Sequence, residues 1–160
     1  MSEFSNGIDF IVTKEHRRFI EFCDACRRYR YVGLCYGPPG VGKTVSARRF
    51  AHQDLVDHLL SNFRLLDLPI YPETLESATL LYTPSVTHSP RRLEKDIAAG
   101  RRQLNDLHYW MRDAMDKKIV HDLPQGTPEA TELMIVDEAD RLKTAGLELM
   151  RDIYCLLYTS

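Results

Sequence analysis

Long apolar runs are missing from this chain. None approaches the ~20 consecutive apolar residues that a membrane-crossing helix needs, so neither a spanning segment nor a membrane partner is expected. The opening Met1–Gly7 is polar and lacks the charged-then-apolar order of a secretory signal, so the expected location is cytoplasmic. Charge of one sign is lacking too. The 21 Lys and Arg stand against 23 Asp and Glu, a net charge of −2, which excludes a polycation held to nucleic acid by bulk charge. Cysteine is sparse, with four residues: Cys23, Cys26, Cys35 and Cys155. Cys23 and Cys26 form a C-x-x-C, but no second C-x-x-C and no H-x-x-x-H supplies the other half of a zinc site. Phe19, Phe22, Cys23, Cys26 and Tyr29 recur at helical spacing, so the two thiols read as packing on one helix face. The six histidines show no metal-ligand spacing, and there are no repeats or low-complexity stretches.

What is present suits one compact α/β domain: 160 residues, 44% of them hydrophobic. Thr13 is placed to cap a helix over about 14–30. Tyr31–Tyr36 reads as a buried strand, Gly37–Gly42 as a loop, and Lys43 to about Leu60 as a second helix. Residues 61–77 read as irregular, with Pro69 and Pro72 as breakers, and Ala78–Tyr82 as a second strand. Ser89 and Pro90 open a long helix reaching toward Lys117. Leu93, Ile97, Leu104, Leu107, Met111 and Met115 line one face of it, and Gly100 on that face suggests a close approach. Leu133–Val136 is a third strand, and a last helix begins near Thr144. Helices alternating with strands predict a parallel sheet covered on both faces.

Two motifs carry chemistry. Gly37-Pro38-Pro39-Gly40-Val41-Gly42-Lys43-Thr44 matches G-x-x-x-x-G-K-[ST] in full, and Val45 continues it into the helix. A polyphosphate must be wrapped by backbone N–H groups, and glycine lets the chain curl tightly enough to aim them inward. The helix N-terminus that follows adds partial positive charge. Lys43 is placed to reach the β- and γ-phosphates of ATP, and Thr44 offers its hydroxyl to Mg²⁺. Leu133-Met134-Ile135-Val136-Asp137-Glu138 is the second motif: four apolar residues, then two carboxylates at the strand edge where open α/β sheets bind ligands. Asp137 is the candidate partner of Mg²⁺, and Glu138 the candidate base for the attacking water.

Together these residues resemble the AAA+ ATPases, with G-P-P-G-V-G-K-T as Walker A and Val-Asp-Glu as Walker B. The stretch from Ile8 to the loop, with Asp137-Glu138-Ala139-Asp140-Arg141-Leu142-Lys143, is more narrowly similar to the transposition-helper and phage ATPases of the Mu B protein kind. The resemblance implies a P-loop NTPase three-layer sandwich with a parallel sheet, ATP-dependent homo-oligomers, DNA binding and a transposase partner. It also implies adenine contact from Phe10–Thr13. Residues 1–160 are then the N-terminal part of a single nucleotide-binding domain: 1–30 a leading segment and helix, 31–154 the P-loop core, and 155–160 a tail that resembles a translated sequencing adapter. The family pattern continues with further strands, a sensor residue, an arginine finger and a helical lid. The fold is therefore expected to be incomplete, with a gap beside the Tyr31–Tyr36 strand.

Three readings remain open. The first is an ATP-hydrolysing module; the second is a nucleotide-dependent binding module with little turnover. The third is a helicase core, because Asp137-Glu138-Ala139-Asp140 spells the DEAD-box second motif. Pro38-Pro39 in the loop and the lack of P-T-R-E-L-A or T-P-G-R elements weigh against the third. Arg91, Lys95 and Arg102 share a helical face, with Arg92 and Arg101 beside them. Arg91, Arg92 and Arg102 are the candidate DNA contacts, and a solvated face is the plain alternative. Thr83-Pro84-Ser85 follows the second strand and reads as a turn at the ligand edge.

Overall fold

The structure is a computed structural model that describes residues 10–62, 71–87, 89–115 and 129–158. Helix α1 spans Lys14–Tyr29, α2 Lys43–Phe50 and α3 Gln53–Asn62. A 3-10 turn over Pro72–Glu76 leads into β1, Thr79–Tyr82. Helix α4, Pro90–Met115, crosses to β2, Leu133–Val136, and a 3-10 turn over Ala139–Arg141 precedes α5, Thr144–Tyr158. The loop before β2 lies largely outside the described residues, as do Pro69 and Lys117.

β1 and β2 pair in parallel, with Thr79 opposite Leu133 and Tyr82 opposite Val136. The Glu132 N–H donates to the Ala78 carbonyl at 2.8 Å and the Asp137 N–H to the Tyr82 carbonyl at 2.9 Å, extending the ladder at both ends. Side chains alternate across a strand, so Leu80, Tyr82, Met134 and Val136 share one face, in one cluster with Leu93 and Ile97 of α4, Leu142 before α5, and Leu149, Met150 and Ile153 of α5. α1 touches β2, and α2 touches β1. The described part is therefore an α/β arrangement with a small parallel sheet packed against helices. A second cluster, Val56, Leu59, Leu107 and Met111, joins α3 to the far half of α4. Gly100 lets α4 sit down on β1: a Cβ there would lie 2.8 Å from Leu80 Cδ1.

Several expectations need correction. The predicted strand Tyr31–Tyr36 forms no strand and pairs with none among the described residues. It is exposed rather than buried, Leu34 by 78% and Tyr36 by 87%. Its one close seat is on α1, where Gly33 lies against the Phe22 ring and a Cβ would sit 2.7 Å from Cys26 Sγ. The predicted long second helix is two. His52 takes a left-handed φ of 49°, the Ser77 hydroxyl donates to the Ala51 carbonyl at 2.8 Å, and Arg48 pairs with Asp54 and Asp57 across the break. Met115 is exposed, unlike the other five residues of its predicted stripe. Residues 155–158 continue α5.

Helix α1 follows the sequence. Thr13 Oγ1 accepts from the His16 N–H at 3.1 Å, and Arg30 ends the helix with a left-handed φ of 54°. Cys23 and Cys26 are buried on its inner face. Burial first, then the neighbouring Cys26, Cys35 and Asp24, push the Cys23 thiol up to about 12.

Candidate nucleotide site

Gly40 and Gly42 give the phosphate loop its curl, with φ of 81° and 86° in the left-handed region that L side chains avoid. Gly42 caps α2, so Lys43 and Thr44 occupy the helix's first turn, where backbone N–H groups lack helical acceptors. Lys43 Nζ donates to the Gly37 carbonyl at 2.8 Å and the Pro38 carbonyl at 2.9 Å. Its ammonium is thus held against the loop's own backbone. Pro38, Pro39 and Val41 lie exposed along the loop, as do Thr44 and Val45 at its helical end.

The other half comes from β2. Thr44 Oγ1 donates to Asp137 Oδ2 at 2.8 Å, joining residues 93 apart in sequence. Asp137 Oδ1 accepts the Glu138 N–H at 3.0 Å. The expected partners therefore meet at the C-terminal edge of the strands, Thr44 on Asp137 and Lys43 beside them. These donors fit a hard cation. A hydroxyl and a carboxylate oxygen within hydrogen-bonding distance are the protein contribution that Mg²⁺ accepts while keeping several waters.

Glu138 has a left-handed φ of 52°, unusual for a side chain of its length. Its carboxylate pairs with Arg141. Arg141 also donates from Nη1 to the Pro84 carbonyl at 3.0 Å, and Pro84 is fully buried. Arg141 stands within the Asp137–Lys143 stretch, with no role of its own in the motif. The readable signal was its i, i+3 spacing from Glu138, the reach of a one-turn ion pair. Asp140 is exposed and joins no ion pair among the described residues.

A second unforeseen contact supports α2. Buried His16 Nδ1 lies 3.0 Å from Ser46 Oγ, tying α1 to the phosphate-loop helix. Burial first, then the Arg49 guanidinium, hold the His16 ring below its ordinary titration range. Phe10, an expected adenine contact, packs edge-on against His16 at 4.6 Å with Arg49 over its ring, while Ile11 and Val12 are exposed.

A cavity of about 580 Å³ opens elsewhere, at the N-terminal edge of the strands, lined by His16, Arg27, Arg49, Phe50 and Glu132 among others. It includes no residue of Gly37–Thr44 and neither Asp137 nor Glu138, so its size says nothing about phosphate binding. On α4, Arg91, Lys95 and Arg102 are exposed, whereas Arg92 lies 3.7 Å from Asp96 and Arg101 pairs with Glu129. The predicted basic stripe is thus partly neutralised.

Residues 26–159 match the AAA domain family, a span holding the phosphate loop, both strands and the Asp137–Glu138 pair. The chain belongs to the AAA domain family. A "Potential ATP-binding protein" of Staphylococcus aureus is 35% identical over 150 residues, covering 91% of this chain and 54% of that protein. The AAA chain therefore spans about half the length of this curated relative. Two Talin-A sequences of Dictyostelium discoideum are 32% identical over 75 residues, 45% of this chain but only 6% and 3% of their own lengths. No solved structure matches. Among the described residues of this AAA chain, no helix is long and apolar enough to cross a membrane.

Proposed function

We propose that this chain binds Mg–ATP between Gly37–Val45 and Asp137–Glu138 and hydrolyses it as an AAA+ module. The observation that carries the reading is the Thr44–Asp137 hydrogen bond, which brings the two motifs to one point. Backbone N–H groups of the loop and the start of α2 face the triphosphate, and Lys43 exchanges its backbone carbonyl partners for phosphate oxygens. Thr44 and Asp137 would hold Mg²⁺, whose charge would offset that of the triphosphate. Glu138 orients the attacking water and accepts its proton.

Lys43→Ala and Glu138→Gln test this together. Lys43→Ala abolishes binding of a fluorescent ATP analogue. Glu138→Gln keeps binding and lowers turnover by about 10²-fold or more, the usual worth of a positioned base. Normal turnover in Glu138→Gln overturns the assignment of the base.

A transposition-helper role on DNA is the finer part of the reading, with homo-oligomers and a transposase partner. It is supported by the Asp137–Lys143 resemblance and by exposed Arg91, Arg92 and Arg102 on α4. The same residues suit a nucleotide-dependent binding module if turnover stays slow, since an arginine supplied from outside typically adds about 10³–10⁵ in rate.

A further inference from the structure

We infer that Arg141 is a positioning residue for Glu138, fixing the direction in which that carboxylate presents its second oxygen. The inference rests on the reading of Glu138 as the base. Glu138 leaves β2 with a left-handed backbone, and the chain turns at once into the Ala139–Arg141 3-10 turn. The Arg141 N–H closes that turn onto the Glu138 carbonyl at 3.0 Å. Its guanidinium then folds back, and Nη2 pairs with Glu138 Oε2. The other terminal nitrogen, Nη1, donates to the Pro84 carbonyl at 3.0 Å.

The second contact separates this pair from an ordinary surface ion pair. Exposed pairs one turn apart contribute little because both side chains wander. A guanidinium is planar, with its donors in a fixed fork, so anchoring one nitrogen fixes where the other points. The anchor is firm: Pro84 is fully buried and sits two residues beyond β1. A rigid path thus runs from the end of β1 through Arg141 to Oε2. With Oε2 engaged, Oε1 is the oxygen left for a water, and the rotamer choice of a Glu side chain 43% exposed is narrowed to one. Lysine cannot reproduce this, because its donors sit on one point charge at the end of a flexible stem.

The test is a mutant cycle on the full chain: wild type, Arg141→Ala, Arg141→Lys, Glu138→Gln, and Glu138→Gln with Arg141→Ala. Phosphate release at saturating Mg–ATP gives kcat, a fluorescent ATP analogue gives Kd, and thermal melting checks the fold. Arg141→Ala should lower kcat by about 10-fold or more, since a misplaced reacting group costs up to about 10²-fold. KM and Kd should stay within about twofold, because among the described residues the polar partners of Arg141 are Pro84 and Glu138 and not the phosphate loop, and Arg141→Lys should recover only part of the loss. In the Glu138→Gln background, Arg141→Ala should cost nothing further, as expected of residues acting as a unit. An unchanged kcat in both Arg141 variants overturns the inference, and so does an equal loss in the Glu138→Gln background. Glu138→Gln turning over normally overturns the underlying reading instead, and that outcome is visible independently of Arg141. Should Arg141→Ala melt below the assay temperature, Arg141→Lys decides alone: wild-type kcat refutes, reduced kcat with unchanged Kd supports.

Discussion

Gly37 and Gly42 occupy equivalent places in the motif pattern but are predicted to respond to alanine with opposite signs. At Gly42, φ is 86° and ψ is 20°, and an added Cβ would meet nothing within 4 Å. The whole penalty is therefore backbone strain, about 1–2 kcal/mol for an L residue held left-handed. Gly37 is not among the positive-φ glycines, and its Cβ would sit 3.7 Å from Val41 Cγ2, an ordinary contact. Alanine there mainly restricts the unfolded chain, which stabilises by about 0.4–1 kcal/mol. The unfolded-chain effect is common to both variants, so their difference should be the strain alone, about 1–2 kcal/mol, read from urea midpoints at constant m. The loop can also relax instead of holding the strain. Lys43 and Thr44 follow Gly42 directly, so relaxation would pull Thr44 from Asp137 and move the deficit into nucleotide affinity. A factor of ten in Kd corresponds to about 1.4 kcal/mol. Stability loss and affinity loss in Gly42→Ala, each measured relative to Gly37→Ala, should then sum to about 1–2 kcal/mol. If Gly42→Ala changes neither, or if Gly37→Ala is the more damaging to stability, the account of the loop's curl is wrong.

Two further outcomes follow from the packing around the loop. His16 is held below its ordinary range when folded, so the unfolded chain binds the proton more readily, and stability should rise with pH in the window below about 6.5. Urea titrations at pH 5.5 and 7.5 check this, and His16→Gln should flatten the difference; a chain more stable at pH 5.5 would contradict it. Amide exchange is the second measurement: residues 32–36 should exchange fast, because no strand accepts or donates along them among the described residues, while 79–82 and 133–136 should be protected.

The sequence made some features legible and hid others for physical reasons. Thr13, Ser89 with Pro90, and the run Leu133–Val136 announce their elements because capping, first-turn proline and continuous apolar character are local signals. The meeting of Thr44 with Asp137 was legible because a G-x-x-x-x-G-K-T loop and a strand ending in acids are the two halves of one phosphate–Mg²⁺ site. The break between α2 and α3 was not. No glycine or proline marks Ala51–His52, and what fixes it is Ser77, brought in from 26 residues away. Tyr31–Tyr36 misled in the opposite direction: its residues suit a strand, but strand formation depends on a neighbour that a single segment's composition cannot supply. Arg141 escaped because its role depends on the Pro84 carbonyl, 57 residues earlier.

The unpaired segment changes what holds the phosphate loop in place. A loop leaving a central strand would inherit its position from hydrogen bonds on both sides. Here three side-chain contacts do that work among the described residues. Gly33 seats the approach against Phe22 and Cys26 of α1, His16 meets Ser46 in the second turn of α2, and Thr44 meets Asp137 at the first. Two of the three run through α1, so the helix before the motif is part of the site's support rather than a leader to it. Each polar link contributes only about 0.5–1.5 kcal/mol net, so loss of either loosens the loop without unfolding the Leu93–Ile97 and Leu59–Leu107 clusters. Damage to α1 should therefore weaken nucleotide affinity before it lowers the melting temperature.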